Sequence, residues 1–326
     1  MSFAQCSKPA AHQTEGYPGP LQGISALEFY CGIGGFAAAC STLPLKIAAA
    51  FDQSETALQV YRQNFPRHPI FHTNLEQAEP EFLSGFEADF WWLSPPCQPY
   101  TIQGSRRDLD DPRACSFLRL LEIFPDTRQP AHFALENVAG FADSRARERV
   151  VELLDRHGYH VEERVLCPTE FGIPMRRPRY YLTASRLALK KIDQAKATSR
   201  DRALATYLDH HASDSNLFLP EPTLARFHTG LRILHPEDDT AYTTCFTAGY
   251  GRKLMHAGSF LQDKNGVRCL SPAEIARLFG YGPDYCFPKD FTLRKRWRLL
   301  GNSLSVDVVR HLLQKFHLDP NQRAAG

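Results

Sequence analysis

The chain has 326 residues, 43% of them hydrophobic and 23% charged, with 38 Lys and Arg against 36 Asp and Glu. This is an ordinary globular composition, long enough for one large α/β domain with a smaller appendage, and it excludes fibrous and disordered classes. No apolar run approaches the roughly 18 residues that cross a bilayer, and Ile47 to Phe51 is about as long as such runs get, so a membrane span is excluded too.

Residues 1–23 carry Gln, His, Glu, Pro and Gly in place of a basic start and an apolar core. They read as a disordered extension and not as a signal peptide, and the protein is expected in the cytoplasm or nucleus. The nine cysteines are an odd number, widely spaced and without a Cys-x-x-Cys pair, so neither a zinc site nor a disulfide framework is indicated. A net charge of +2 does not by itself announce a polyanionic partner. The basic residues are nevertheless clustered: Arg106 and Arg107; Arg176, Arg177 and Arg179; Arg252 and Lys253; Arg294, Lys295, Arg296 and Arg298. Solvated helix faces are the competing explanation for such clusters.

Ile24 to Tyr30 reads as a buried strand running into the turn Cys31-Gly32-Ile33-Gly34-Gly35, with a helix from Phe36. A second strand over Ile47 to Phe51 ends at Asp52 and is followed by a helix through Ala57, Val60, Tyr61 and Asn64. The alternation continues with a strand at Phe90 to Leu93, a helix near Arg113 to Phe124, a strand at Ala131 to Leu135 and a helix near Ser144 to His157. Strands at Tyr159 to Val165 and Tyr180 to Ala184 close the region. Strands alternating with helices predict a mainly parallel sheet covered on both faces, with ligands at the carboxyl ends of its strands. Beyond Ser185 the alternation fades. Ser271-Pro272-Ala273-Glu274 is a capping box that predicts a helix through Phe279, ended by Gly280. A last helix carries Leu304, Val308, Leu312 and Phe316 on one face; packed back on the sheet, it would bring Gly301-Asn302-Ser303 to the ligand site.

Five segments carry chemistry. Asp52, at the end of the strand after the glycine turn, stands where a carboxylate accepts ribose hydroxyls, and Glu28 is a buried-looking carboxylate that needs a partner such as an amino group. Ser94-Pro95-Pro96-Cys97-Gln98-Pro99 puts a cysteine in a loop stiffened by prolines at a strand end, which suits a nucleophile; a buried cysteine in a proline turn is the alternative. Glu136 in Leu135-Glu136-Asn137-Val138 would emerge on the same edge as Cys97, unless it caps a helix. Arg177-Pro178-Arg179 offers two guanidinium groups directed to one side of the chain.

In this order, the segments Phe29 to Gly35, Ser94 to Pro99, Glu136 to Val138, Arg177 to Arg179 and Gly301 to Ser303 resemble the motif series of the cytosine-C5 methyltransferases, over nearly all of residues 24 to 317. Cys245-Phe246-Thr247-Ala248-Gly249-Tyr250 is similar to the signature of the DNA methyltransferase homologue 2 family, whose substrate is transfer RNA. Cys31 stands where that family has alanine or serine, a difference expected to need only a packing adjustment.

The resemblance implies a Rossmann-like S-adenosyl-L-methionine-dependent fold in residues 24–188, completed by 301–317, with a small target-recognition domain in 189–300 and a tail in 318–326. It implies Cys97 as the thiolate that adds to cytosine, Glu136 as the proton-bearing partner of the ring, and Arg177 and Arg179 as arginines for the base, a phosphate or Glu136, with Arg179 the one assigned to the base. Arginines in the cleft are expected to lower the Cys97 pKa. The implied cofactor shell is Glu28, Tyr30, Gly32, Ile33, Gly34, Gly35, Asp52, Gln53, Asn74, Leu75, Pro95, Asn302, Ser303, Leu304, Ser305 and Val306, with S-adenosyl-L-homocysteine as product and no metal. Arg106, Arg107, Cys245, Thr247, Tyr250, Arg252 and Lys253 are the implied substrate contacts. A monomer acting on cytosine 38 of aspartate tRNA, with DNA as a weaker partner, is the expected biology. A DNA methyltransferase and a catalytically silent nucleic-acid-binding homologue are the alternatives.

Overall fold

The computed structural model describes residues 23–101, 107–192, 203–209 and 214–319. The expectations for residues 1–22, for Arg106 and for 320–326 lie outside these.

The strands β1 (Ile24–Phe29), β2 (Leu45–Asp52), β3 (Ile70–His72), β4 (Phe90–Leu93), β5 (His132–Val138), β6 (His160–Leu166) and β7 (Arg179–Ser185) form one sheet in the order β3-β2-β1-β4-β5-β7-β6. β1 through β5 pair in parallel, whereas β7 runs antiparallel to both β5 and β6. The central strands are apolar on both faces because helices cover both. Along β4, Phe90 and Trp92 join one core layer and Trp91 and Leu93 the other. The helices α1 (Gly35–Cys40), α2 (Glu55–Asn64), α3 (Pro80–Ser84), α4 (Cys115–Ile123) and α5 (Arg145–Arg156) are the crossovers and lids of this sheet. Ser54 and Ser144 cap α2 and α5 by accepting the backbone N–H groups of Ala57 and Arg147.

A three-stranded sheet of β8 (Ile233–Leu234), β9 (Phe260–Asp263) and β10 (Gly266–Cys269), ordered β10-β9-β8, lies with α6 (Glu221–Phe227), α7 (Pro272–Leu278) and α8 (Leu293–Gly301) in the second half of the chain. The capping box at Ser271 and Glu274 is formed as expected. The final helix α9 (Val306–Leu313) returns to the first sheet, where Phe316 meets the ring of Phe90 and Arg310 donates to the Ala38 carbonyl. β3, α3, α6, α8 and the strands β8 to β10 have no counterpart in the sequence reading. Four basic residues mask the apolar face of α8, and the three residues of β3 are too few to display a period.

Arg268 and Glu274 form a bidentate pair with Nη2···Oε1 at 2.7 Å and Nη1···Oε2 at 2.8 Å. Both side chains are almost wholly buried, and the same carboxylate accepts the Ser271 and Asp209 N–H groups. Removing one partner of such a pair leaves the other charge stranded. Glu274→Ala is expected to lower the free energy of unfolding by about 3 kcal/mol, measured by urea denaturation. A loss under about 1 kcal/mol, the scale of an exposed pair, would mean that Asp263 alone sustains Arg268.

Candidate active site

At the carboxyl ends of β1, β2, β4 and β5 a cavity of about 520 Å³ opens on the side where the strand order reverses between β1 and β4. Each strand delivers one part of its wall.

After β1, Tyr30 and Gly32 take left-handed backbone conformations, φ 58° and 52°, that fold the turn tightly. A side chain on Gly32 would meet nothing within 4 Å, so that backbone edge lies open to the cavity. Gly34 differs. Its missing side chain makes room for the Phe65 ring, 2.4 Å from where a Cβ would sit, and it does not line the cavity. The Tyr30 hydroxyl donates to Ser116 at the start of α4. Asp52 at the end of β2 accepts Gly32 N–H at 2.9 Å through one oxygen and Ser54 N–H at 2.7 Å through the other, tying the glycine turn to the second strand. Burial raises its carboxyl above the ordinary range, against the pull of those N–H groups.

Glu28 lines the cavity from within β1 and accepts the Tyr61 hydroxyl at 2.7 Å, so a protein partner takes part of the role expected of a ligand's amino group. Burial pushes its carboxyl up to about 8. Asn74 accepts the Glu76 N–H and the Leu75 side chain is buried in the core, so neither forms the wall where they were expected; Glu76 does. Glu76 lies within the short helical turn Leu75–Gln77.

After β4, Trp92 donates to Ser94 and Asn137 donates to the Pro95 carbonyl, fixing the loop in which Cys97 lines the cavity. Burial raises the Cys97 thiol, Arg179 and Arg177 lower it and Glu136 raises it; the net direction is upward. The expected acidic shift is therefore absent in the free protein, because burial outweighs the arginines.

Glu136 lies inside β5 and not at a helix start, opposite Tyr181 of β7. Arg179, paired with Val138, is its diagonal neighbour and brings Nε to 3.4 Å from the Glu136 carboxylate. Burial holds the Glu136 carboxyl above its ordinary range despite both arginines.

Arg177 reaches the cavity wall but is engaged otherwise than expected. Its Nη1 donates to the Phe246 carbonyl at 2.8 Å and to Cys245 Sγ at 3.2 Å, and its Nη2 donates to the carbonyls of Gly301 and Ser303. Its guanidinium staples the second-half turn to the Gly301-Asn302-Ser303 loop, while its buried Nε has no hydrogen-bond partner. Gly301 packs against the backbone of Thr247 and Ala248, where a Cβ would come within 2.2 Å. Asn302, Ser303 and Leu304 line the cavity as expected; Ser305 and Val306 are buried behind it.

Tyr250 is no surface contact. Its hydroxyl donates to the Ser259 carbonyl and accepts Leu270 N–H, and its ring packs on Trp297, which makes it a core brace. Cys245 and Thr247 are half-buried, whereas Arg107, Arg252 and Lys253 are exposed. Ser116 of α4 and Arg113 in the turn before it also line the cavity and were invisible in the sequence, because only tertiary packing brings them to the strand ends. Among the described residues no group of three or more His, Cys, Asp or Glu is placed to hold a metal ion, and no helix is long and apolar enough to cross a membrane.

Residues 24–317 match the model of the C-5 cytosine-specific DNA methylase family. The tRNA (cytosine(38)-C(5))-methyltransferase of Schizosaccharomyces pombe is 31% identical over 89% of this chain and 96% of its own length. The enzyme of the same name from Bos taurus is 29% identical over 90% of this chain and 99% of its own. The crystal structure of S. pombe Dnmt2 methyltransferase superposes with a TM-score of 0.80 at 29% identity, covering 89% of this chain and 97% of that one.

The raised carboxyl of Glu28 sets a pH dependence of stability. In the unfolded chain this acid ionises near 4.5 and in the folded one at about 8, so its contribution is fully present below about pH 4.5 and is lost as pH rises through about 8. Melting temperatures of the ligand-free protein across that window should fall less with pH in Glu28→Gln than in the parent. Parallel curves would show that Glu28 ionises as freely folded as unfolded.

Proposed function

Because the chain belongs to the C-5 cytosine-specific DNA methylase family, we propose that it methylates carbon 5 of cytosine in transfer RNA, at cytosine 38 of aspartate tRNA, through a covalent adduct of Cys97. The observation that carries this reading is the meeting of Cys97, Glu136 and Arg179 with the glycine turn in one cavity. The curated relatives named for cytosine 38 of tRNA support the substrate.

S-adenosyl-L-methionine fits the cavity, where an open glycine edge at Gly32 lies beside the carboxyls of Glu28 and Asp52. Asp52, with lone pairs beyond those used by Gly32 and Ser54, would hold the ribose, and Glu28 would hold the amino group. Tyr30 and Asn302 to Leu304 would flank the body of the molecule. When bound, it supplies an electrophilic methyl group.

Carbon 5 of cytosine is a weak nucleophile, so Cys97 first gives up its proton and adds to carbon 6. Because burial disfavours the thiolate, this ionisation is tied to the arrival of the base. Glu136, whose carboxyl burial raises, is assigned the proton that it donates to ring nitrogen N3 as negative charge develops there, and it accepts from the exocyclic amine, a pattern that selects cytosine over uracil. Arg179 holds the Glu136 carboxyl in place. The methyl group would pass to carbon 5 as its bond to sulfur breaks, leaving S-adenosyl-L-homocysteine; the carbon 5 proton then leaves to solvent, the electron pair of that C–H bond expels Cys97 as a thiolate, and Glu136 recovers its proton from N3.

A base must leave its stack to enter such a cavity, at a cost smallest in a loop. An anticodon loop meets that demand better than duplex DNA. The exposed cations Arg107, Arg252 and Lys253 are assigned to its phosphates.

Methyl incorporation from labelled S-adenosyl-L-methionine into matched amounts of aspartate tRNA and cytosine-rich duplex DNA tests the reading. tRNA should be labelled in large excess. Cys97→Ala should reduce labelling to the blank with S-adenosyl-L-homocysteine affinity unchanged, and Glu136→Gln should slow it by about 10²- to 10⁴-fold. Labelling of DNA alone would overturn the substrate, and turnover by Cys97→Ala would overturn the nucleophile. Failure to label either would favour a silent binding homologue.

A further inference from the structure

Arg177 and Arg179 bring two permanent positive charges into the buried strip between β5, β7 and the turn at Cys245 to Tyr250. The carbonyls of Pro178, Phe246, Gly301 and Ser303 give these guanidinium groups hydrogen bonds but no opposing charge. Among the described residues the one carboxylate in ion-pair range of either is Glu136, which the mechanism above requires to be protonated. A buried cation without a counter-charge is strongly disfavoured, so the strip lacks a negative group.

Cys245 occupies the position where that group is needed. Its sulfur receives Nη1 of Arg177 at 3.2 Å and Nη2 of Arg179 at 3.6 Å, two cationic donors on one atom. We propose that Cys245 is ionised in the native protein and serves as a positioning residue, the counter-charge that shares Arg179 with Glu136 and thereby lets Glu136 keep its proton. The inference rests on the proton-donor role given to Glu136 above.

The other titratable groups facing this strip agree with the assignment. Burial raises the Cys245 thiol, but the two arginines together outweigh it and hold the thiol below its ordinary value. Cys97 faces the same arginines but is raised because burial outweighs them, and burial likewise raises Tyr181 opposite Glu136. The proton balance is simple: Cys245 loses its proton to solvent during folding, and no electron transfer is involved. Cys245 also heads the hexapeptide Cys245 to Tyr250, of which Tyr250 is a core brace and Phe246 presents its carbonyl to Arg177; the charge gives the first residue of that segment a reason to be cysteine.

Two measurements on the full chain test this, one of them independent of activity. At about pH 7, where an ordinary thiol is almost wholly protonated, the ultraviolet thiolate absorbance of Cys97→Ser should exceed that of Cys97→Ser/Cys245→Ser by the equivalent of one thiolate. Equal absorbance would overturn the proposal even if the enzyme methylates as expected. In the chain that retains Cys97, Cys245→Ser keeps an acceptor but loses the charge. Arg179 then has Glu136 as its sole anionic partner, so the alkaline limb of kcat/KM should move to lower pH by about one unit, and Cys245→Asp should restore it. A wild-type profile in Cys245→Ser would reduce Cys245 to packing. Absence of methyl transfer in the parent would count against the functional reading alone, and the absorbance difference would still decide whether the thiolate exists.

Discussion

Two segments far from Arg177 in the chain meet on its guanidinium, just ahead of β7: the turn at Phe246 and the loop at Gly301 to Ser303. The acceptors are three carbonyls and the Cys245 sulfur, and the guanidinium itself is buried, so withdrawing a partner strands a buried donor. This junction seats Asn302 and Ser303 against the cavity that β1, β2, β4 and β5 open from the other side. The close approach of Gly301 to Thr247 and Ala248 depends on the same seating, since a side chain there would force the two halves apart.

Within that frame the electrostatics divide into two zones. Around the glycine turn, the carboxyls of buried Glu28 and half-buried Asp52 are held by a hydroxyl and by backbone N–H groups and are raised by desolvation. That zone suits a ligand bearing positive charge and hydroxyls. Around Cys97, two arginines, Glu136 and Cys245 share a buried strip in which protons must be partitioned among acids of opposed tendency. Catalysis by the proposed route requires the proton on Glu136 and, once the base is bound, off Cys97. Burial alone favours the first and opposes the second, so base binding must supply what ionises Cys97.

Much of this could be read from the residues. The alternation of strands and helices, the glycine turn, the capping box at Ser271 and the return of the final helix all follow from local pattern, and each is present. So is the convergence of Cys97, Glu136, Arg179 and Asn302 on one cavity. What pattern did not convey was direction. Arg177 and Arg179 look equivalent in the sequence, yet one staples loops and the other faces Glu136. Tyr250 looked like a contact because it closes a motif, and it is buried because its hydroxyl bridges Ser259 and Leu270. Gly34 serves the Phe65 ring instead of the cavity, and Glu76 replaces Asn74 and Leu75 at the wall. Such differences are set by tertiary contacts that no spacing rule contains.

The central claim is that Cys97 bonds to cytosine, and trapping tests it most directly. In an anticodon stem-loop of aspartate tRNA carrying 5-fluorocytidine at the target position, the fluorine cannot depart as the C5 proton does, so the adduct should persist. With S-adenosyl-L-methionine present, the parent chain should form a denaturation-resistant complex with this RNA, with the crosslinked peptide containing Cys97, and Cys97→Ala should form none. A preparation that methylates the ordinary stem-loop yet traps no complex, or a complex that survives in Cys97→Ala, would contradict the account.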